Sequence, residues 1–348
     1  MLCDKLEFEV PLKFPIFGNI IIPERLIDVK ASEAANQINR RLEQVMPLLT
    51  PLGVILGAVL SGVFLHLRPF VTLLFAIMTL AGAVKLRARE LGKAVASPVP
   101  LLLFFSTAHV LIPVMVYLLS GLIFRNDPDT VSGYVLLYSS PTAVAGFIWV
   151  SIFRGDPALS LALILVDTIL APLVVPGTVR LLLGSHITLN MTGIAVSLIY
   201  MVVIPTIAGV ALNELSRGKI PALVNPYLTP LSKICMILVI SANTAAVASQ
   251  FQLDNPHLWI IAAFCIGFSV LSFTGAKFAC LAAKLGREKQ ISLFFASGLR
   301  NTSAAMTLAI EYFPGPAALP AVLGIMFQQT IAAFMGRLFL GKREDREQ

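Results

Sequence analysis

Ten apolar stretches, each long enough to cross about 30 Å of hydrocarbon, limit what this 348-residue chain can fold into. They run over 46–67, 69–86, 98–122, 132–153, 157–183, 188–213, 226–250, 257–283, 290–313 and 317–340. With 57% hydrophobic and only 13% charged residues, the chain has too little polar surface to cover such stretches in water. Inside a bilayer each span must satisfy its own backbone N–H and C=O groups, so helices are required. The fold class expected is an all-α integral membrane protein with ten transmembrane helices.

The basic residues sort by side of these spans. Twenty of the 26 Lys and Arg fall on one side. They occupy the segment before residue 46, the 85–93 loop, Arg154, Arg217, Lys219, the Lys284–Lys289 loop and the end from Arg337. The other side holds only Arg68, Arg125 and Arg180. Basic loops stay in the cytoplasm, so both termini are expected there, as an even number of crossings requires. The net charge of +7 is then a topology signal, and the expected partner is the bilayer of a cell membrane (inner or plasma), not a nucleic acid. Residues 1–45 read as a cytoplasmic segment, 46–340 as the membrane domain and 341–348 as a cytoplasmic tail. Asp4, Glu7 and Glu9 are inconsistent with a signal peptide. Ser32 is placed to cap a short helix leading into the first span. Cys3, Cys235, Cys265 and Cys280 lack any metal-binding spacing and read as packing residues.

Spans four and nine look related. Thr142, Ala145, Phe153, Gly155, Ala158 and Leu159 recur as Thr302, Ala305, Phe313, Gly315, Ala318 and Leu319, all at an offset of 160. Each segment is the fourth of five spans, and five is odd, so the second half must enter from the opposite side. Two inverted five-helix repeats follow, an arrangement common in secondary transporters. Pro141 lacks an N–H and breaks span four. Gly298 and Asn301 tolerate unusual backbone angles and can break span nine. Half-helices then restart at about Thr142 and Thr302, presenting positive ends to the bilayer centre.

Arg300 lies at that depth, where an arginine costs about 2.5–3.5 kcal/mol on insertion scales. Two readings stand. Arg300 either grips an anionic solute through paired donors, with Pro141, Thr142, Asn301, Thr302 and Ser303 around it, or ties up backbone carbonyls freed by the break. Asp167, ten residues into span five, either pairs with Arg300 and carries a proton or makes a static packing bond. His109, one turn before Pro113, bonds a freed carbonyl or works chemically. Gln328 and Gln329 in span ten are candidate lining residues. The chain has no HExxH or GxSxG pattern, so an intramembrane enzyme is disfavoured.

With the broken spans placed, the chain resembles the bile acid:sodium symporter family. The resemblance rests on Ser140–Ala143, Arg154–Ser160, Gly298–Ser303, Leu319–Gly324 and Phe327–Gln329, and it covers roughly 35–340. It implies a panel of helices 1, 2, 6 and 7, and a core of helices 3–5 and 8–10 in which broken helices four and nine cross. It implies alternating access for an organic anion, with two Na⁺ behind the crossing in sodium-coupled relatives. At those positions the chain departs from the family pattern. The shared Glu of span nine is Ala296, and an amide is Arg300. A Ser-Asn pair is Gly146-Phe147, and a Thr is Ile164, with the preceding Ser kept as Ser160. A Gln of span three is Ala108, beside His109.

A guanidinium repels Na⁺, so no metal site and no cofactor are expected and sodium coupling is disfavoured. The function expected is secondary transport of a small or amphipathic organic anion, coupled to protons, to counter-exchange or to nothing. The alternatives are a sodium-coupled symporter of the usual family type and, more remotely, an arsenite exporter or an intramembrane enzyme.

Overall fold

A computed structural model describes residues 10–14, 18–22, 29–89, 92, 98–184, 189–251 and 254–341. Cys3, the acidic residues before Val10 and the tail from Lys342 lie outside the described residues. Near the N-terminus a short antiparallel hairpin pairs β1 (Val10–Phe14) with β2 (Gly18–Ile22). Elsewhere the described residues fold as helices and their connections.

Helix α1 (Val29–Val59) joins the lead-in and the first span into one helix, so Ser32 lies inside it and not at its start. The chain leaves helical geometry at Leu60, and α2 (Ser61–Ala83) follows, tightening to 3₁₀ between Leu65 and Phe70. The expected boundary at Arg68 is thus displaced toward the N-terminus. Next come α3 (Pro98–Ile123), α4 (Pro128–Ser139), α5 (Gly146–Ile152), α6 (Pro157–Leu183) and α7 (Met191–Leu215). The remainder are α8 (Lys219–Ala246), α9 (Pro256–Ala282), α10 (Arg287–Gly298), α11 (Thr302–Tyr312) and α12 (Leu319–Leu340).

Local chemistry sets many of these starts. Asp127, Asp156, Asn190, Asn255 and Asn301 each accept a backbone N–H of the helix they precede, at 2.8–3.1 Å. Pro128, Pro157 and Pro256 stand at first helical positions, where no N–H is needed. Interior prolines act differently. Ser106–Leu111 and Ile199–Val203 widen to π-helix just before Pro113 and Pro205. The wider turn accommodates a proline ring and a missing hydrogen bond without ending the helix.

Seven helices among the described residues are long and apolar enough to cross a membrane. They are α2, α3, α6, α7, α8, α9 and the run Gly315–Leu340 that contains α12. The pairs α4/α5 and α10/α11 fail that test because their members have 12, 7, 12 and 11 residues, which is at most about 18 Å of helix against about 30 Å of hydrocarbon. Leu122, Leu173, Leu181, Phe278 and Phe334 lie exposed on the outer faces, an apolar surface that a bilayer covers.

Packing links the helices in two sets, which are joined where α7 packs on α6. Helix α8 carries α1 and α2, and α2 also packs on α7. In the other group α9 packs on α10 and α12, α3 on α4, α4 on α6, and α5 on α10. Close approach depends on small residues. A Cβ on Gly57 would lie 2.4 Å from Ser241 O, and one on Gly133 would lie 2.1 Å from Ala317 O.

Candidate functional site

The two chain breaks meet. After α4, Ser140 is extended, and after α10, Leu299 is extended. The extended segments pair antiparallel about Thr142 and Arg300. Ala143 N–H donates to Leu299 O at 3.1 Å, and Asn301 N–H to Pro141 O at 2.8 Å. Each break thereby supplies hydrogen-bond partners that the other lacks, which makes non-helical backbone tolerable in a buried place.

Two details differ from the sequence reading. The half-helix after the first break restarts at Gly146 and not at Thr142, because Ala143–Ala145 form turns first. Neither Gly298 nor Asn301 uses a left-handed backbone angle. Gly298 is required for space, since a Cβ there would sit 2.2 Å from the Phe273 ring. Asn301 has φ −74° and serves as a cap, its Oδ1 accepting Ala304 N–H at 3.1 Å.

Around the crossing, Thr142 and Arg300 reach back into the chain. Thr142 N–H donates to Asp167 Oδ2 at 2.6 Å, and Thr142 Oγ1 donates to Ala296 O at 2.7 Å with Leu299 O at 3.2 Å. Arg300 is 1% exposed, the largest fully buried side chain. Its Nη1 donates to Ser140 O at 3.3 Å and its Nη2 to Ala108 O, while Nε has no partner. The guanidinium thus holds two carbonyls, one from the end of α4 at its break and one from the π-segment of α3. In this conformation Arg300 performs the carbonyl-binding role.

Asp167 is fully buried on α6 and does not pair directly with Arg300. One oxygen takes Thr142 N–H; the other lies 2.8 Å from His109 Nε2. His109 therefore faces a carboxylate and not a freed carbonyl. Phe105 stacks on its ring and Phe104 meets it edge-on.

The remaining candidates divide. Asn301, Thr302 and Ser303 are half-buried at the start of α11, and Thr302 packs toward Gly324 of α12. Gln328 is buried one turn further along α12. Gln329 is exposed and accepts Trp149 Nε1–H at 2.8 Å, away from the crossing. Ser160 is buried on α6 about two turns before Asp167, its N–H bonded to Asp156 O. Sequence reasoning missed Tyr138, a buried phenol whose OH lies 3.1 Å from Ser269 Oγ, and it missed the carbonyls of Ala108, Ser140 and Ala296. Carbonyl partners leave no mark on a sequence. Among the described residues no cluster of three or more His, Cys, Asp or Glu gathers to hold a metal.

Comparisons with known proteins agree on one family. Residues 71–252 match the profile of the sodium bile acid symporter family. The chain is 36% identical over 294 residues to the uncharacterized protein YbaS of Bacillus subtilis, covering 84% of this chain and 95% of that protein. It is 23% identical over 285 residues to the probable chloroplastic sodium/metabolite cotransporter BASS1 of Arabidopsis thaliana, covering 80% and 69%. Against the uncharacterized sodium-dependent transporter YocS of Bacillus subtilis it is 21% identical over 272 residues, covering 77% and 82%. Apolar spans, paired chain breaks and these relatives lead to one assignment: the chain belongs to the sodium bile acid symporter family and is a multi-pass membrane transporter, not an enzyme.

Proposed function

We propose that this transporter carries a small or amphipathic organic anion by alternating access without sodium. One observation carries the reading: a buried guanidinium, Arg300, sits where two chain breaks cross and occupies the carbonyls of Ser140 and Ala108. Two other oxygens nearby are committed as well. Asp167 serves Thr142 and His109, and Ala296 O serves the Thr142 hydroxyl. Sodium needs several oxygen ligands free of a neighbouring positive charge, and these residues do not fit it. Arg300 instead supplies a permanent positive field behind Asn301, Thr302 and Ser303, whose half-buried polar groups face the anion.

In this reading the chain crosses the cell membrane ten times as two inverted five-helix repeats, with α4/α5 and α10/α11 as the broken fourth and ninth spans. The α1, α2, α7 and α8 group is the panel, the rest the core, and both termini are cytoplasmic. The packing groups and the skew of basic residues support it. Residues 1–45 are then a cytoplasmic lead-in.

A second reading, sodium-coupled anion symport, is favoured by the names of the Arabidopsis relative and of YocS. Uptake of radiolabelled taurocholate, pantoate and pyruvate into proteoliposomes separates the two. Replacing Na⁺ by K⁺ leaves the rate unchanged if Arg300 stands in for the cation, and a steep sodium dependence overturns that. Failure to carry or bind any of a wider set of carboxylates and sulfonates overturns the anion reading itself.

A further inference from the structure

The crossing contains a second ionisable device besides Arg300. His109 and Asp167 come from different helices, α3 and α6, and both are buried, with side chains 4% and 0% exposed. A carboxylate accepts hydrogen bonds and cannot donate them, so the neutral imidazole keeps its proton on Nε2, which faces Asp167 Oδ1 at 2.8 Å. Nδ1 is then the basic atom; it is buried without a hydrogen-bond partner, and Nε2 and Asp167 Oδ1, although 2.8 Å apart, do not align as a hydrogen bond either. His109 lies in the π-helical segment Ser106–Leu111. Pro113 cannot donate to the carbonyl of His109 four residues earlier, a loss that the wider turn accommodates.

We propose that His109 and Asp167 form the proton-binding site of this carrier, so that one proton on His109 Nδ1 travels with each monovalent anion. The inference rests on the anion reading above and names its coupling ion. Charge counting at the crossing supplies the logic. Arg300, Asp167 and neutral His109 sum to zero. An anion alone makes the site −1, a proton alone makes it +1, and the two together restore zero. Uncompensated charge inside the bilayer is costly. The empty and doubly loaded carriers therefore change sides readily, while each half-loaded form is held back. The proton comes from water on the loading side, adds to the Nδ1 lone pair, and returns to water on the other; no other bond changes.

Other charged groups do not disturb this count. The elements packed on the π-segment are α4, α6, α9 and α10. Tyr138 on α4 is a buried neutral phenol bonded to Ser269. On α9, Cys280 joins the Phe104 and Ala108 cluster as a thiol, and Lys277 is committed to Gln290 Oε1 at 3.0 Å. Asp129 of α4, Asp156 and Arg180 of α6, His257 at the start of α9, and Arg287, Glu288 and Lys289 of α10 all sit at the outer ends of their helices. Each is ten or more residues from the crossing, about 15 Å along a helix axis.

The decisive measurement needs no substrate. The lipid-reconstituted, ¹⁵N-histidine-labelled protein has four histidines, and its imidazole signals are followed by NMR from pH 9 to pH 4.5, with His109 assigned through His109→Gln. The expected His109 signal is a neutral ring protonated on Nε2 that converts to imidazolium within this range. A ring that stays neutral throughout, or one that keeps its proton on Nδ1, overturns the proposal. Proteoliposome uptake of taurocholate and pyruvate then tests coupling. An acid-outside gradient of one pH unit should accumulate either probe about tenfold, without response to a potassium-diffusion potential, and His109→Gln should lose the gradient response. Uptake that follows the potential but not the gradient, or a gradient response retained in a folded His109→Gln or His109→Asn protein, overturns it. If neither probe binds or moves, the anion reading fails for them, while the NMR titration still decides the proton site.

Discussion

Arg300→Gln tests the link between the two breaks most directly. The wild-type guanidinium makes two charge-assisted hydrogen bonds, to Ser140 O and Ala108 O, in a site 1% exposed. Bonds of that kind contribute about 1.5–3 kcal/mol each, so losing both removes about 3–6 kcal/mol. A glutamine amide can reach one carbonyl, which brings the expected loss to about 2–4 kcal/mol. The substitution also leaves Asp167 as a buried carboxylate with no nearby positive charge. Asp167→Asn alone keeps an oxygen for Thr142 N–H and costs less, about 1–2 kcal/mol. Because the second change relieves the charge stranded by the first, the double variant should be more stable than additivity predicts, with a coupling of about 1–3 kcal/mol. The assay is thermal unfolding in detergent, read by a thiol-reactive dye, since Cys235, Cys265 and Cys280 are buried and become reactive only on unfolding. At roughly 2 °C per kcal/mol for a chain of this size, Arg300→Gln should lower the midpoint by about 4–8 °C. An Arg300→Gln protein that melts with wild type, or strictly additive single and double variants, would refute the reasoning.

The remaining predictions concern packing, a helix start and pH. Gly298→Ala forces a methyl into the Phe273 ring and should cost about 1–3 kcal/mol, and Phe273→Leu in the same chain should recover part of that melting loss. Asp127→Ala removes the α4 cap made to Thr130 N–H and should cost about 1 kcal/mol in the same melt. Partial burial pushes the Asp127 carboxyl up, yet hydrogen bonds from Thr130 and the neighbouring His257 outweigh it and hold the group below its ordinary value. A depressed carboxyl contributes stability that is present above the unfolded value and lost as the pH falls through the folded one. Wild type should therefore lose more stability below about pH 4 than Asp127→Asn does, and parallel acid melting curves for the two would contradict this.

Much of the architecture was legible because it depends on local chemistry. Apolar length marks a crossing helix wherever it occurs, so α3, α6, α7, α8, α9 and α12 lie close to the expected spans. Pro141 announces a break because it lacks a donor whatever surrounds it, and Asn301 beside Arg300 marks the second. The half-helix start at Gly146 was missed because Ala143–Ala145 turn only to let the two breaks pair. The role of Gly298 was misread because Phe273, the ring that requires it, lies 25 positions away on another helix.

What each charged side chain touches belongs to the tertiary structure alone. Arg300 reaches Ala108 O across 192 positions, and Thr142 N–H reaches Asp167 across 25. Such contacts arise when helices cross, and carbonyl acceptors are common to every residue, so no residue type records them. Composition and periodicity place a cation and an acid within the bilayer. Only the packing of α3 and α6 against the paired breaks gives Asp167 to His109 and Arg300 to the backbone, because burial forces each polar group to bond whichever partner the fold brings within reach.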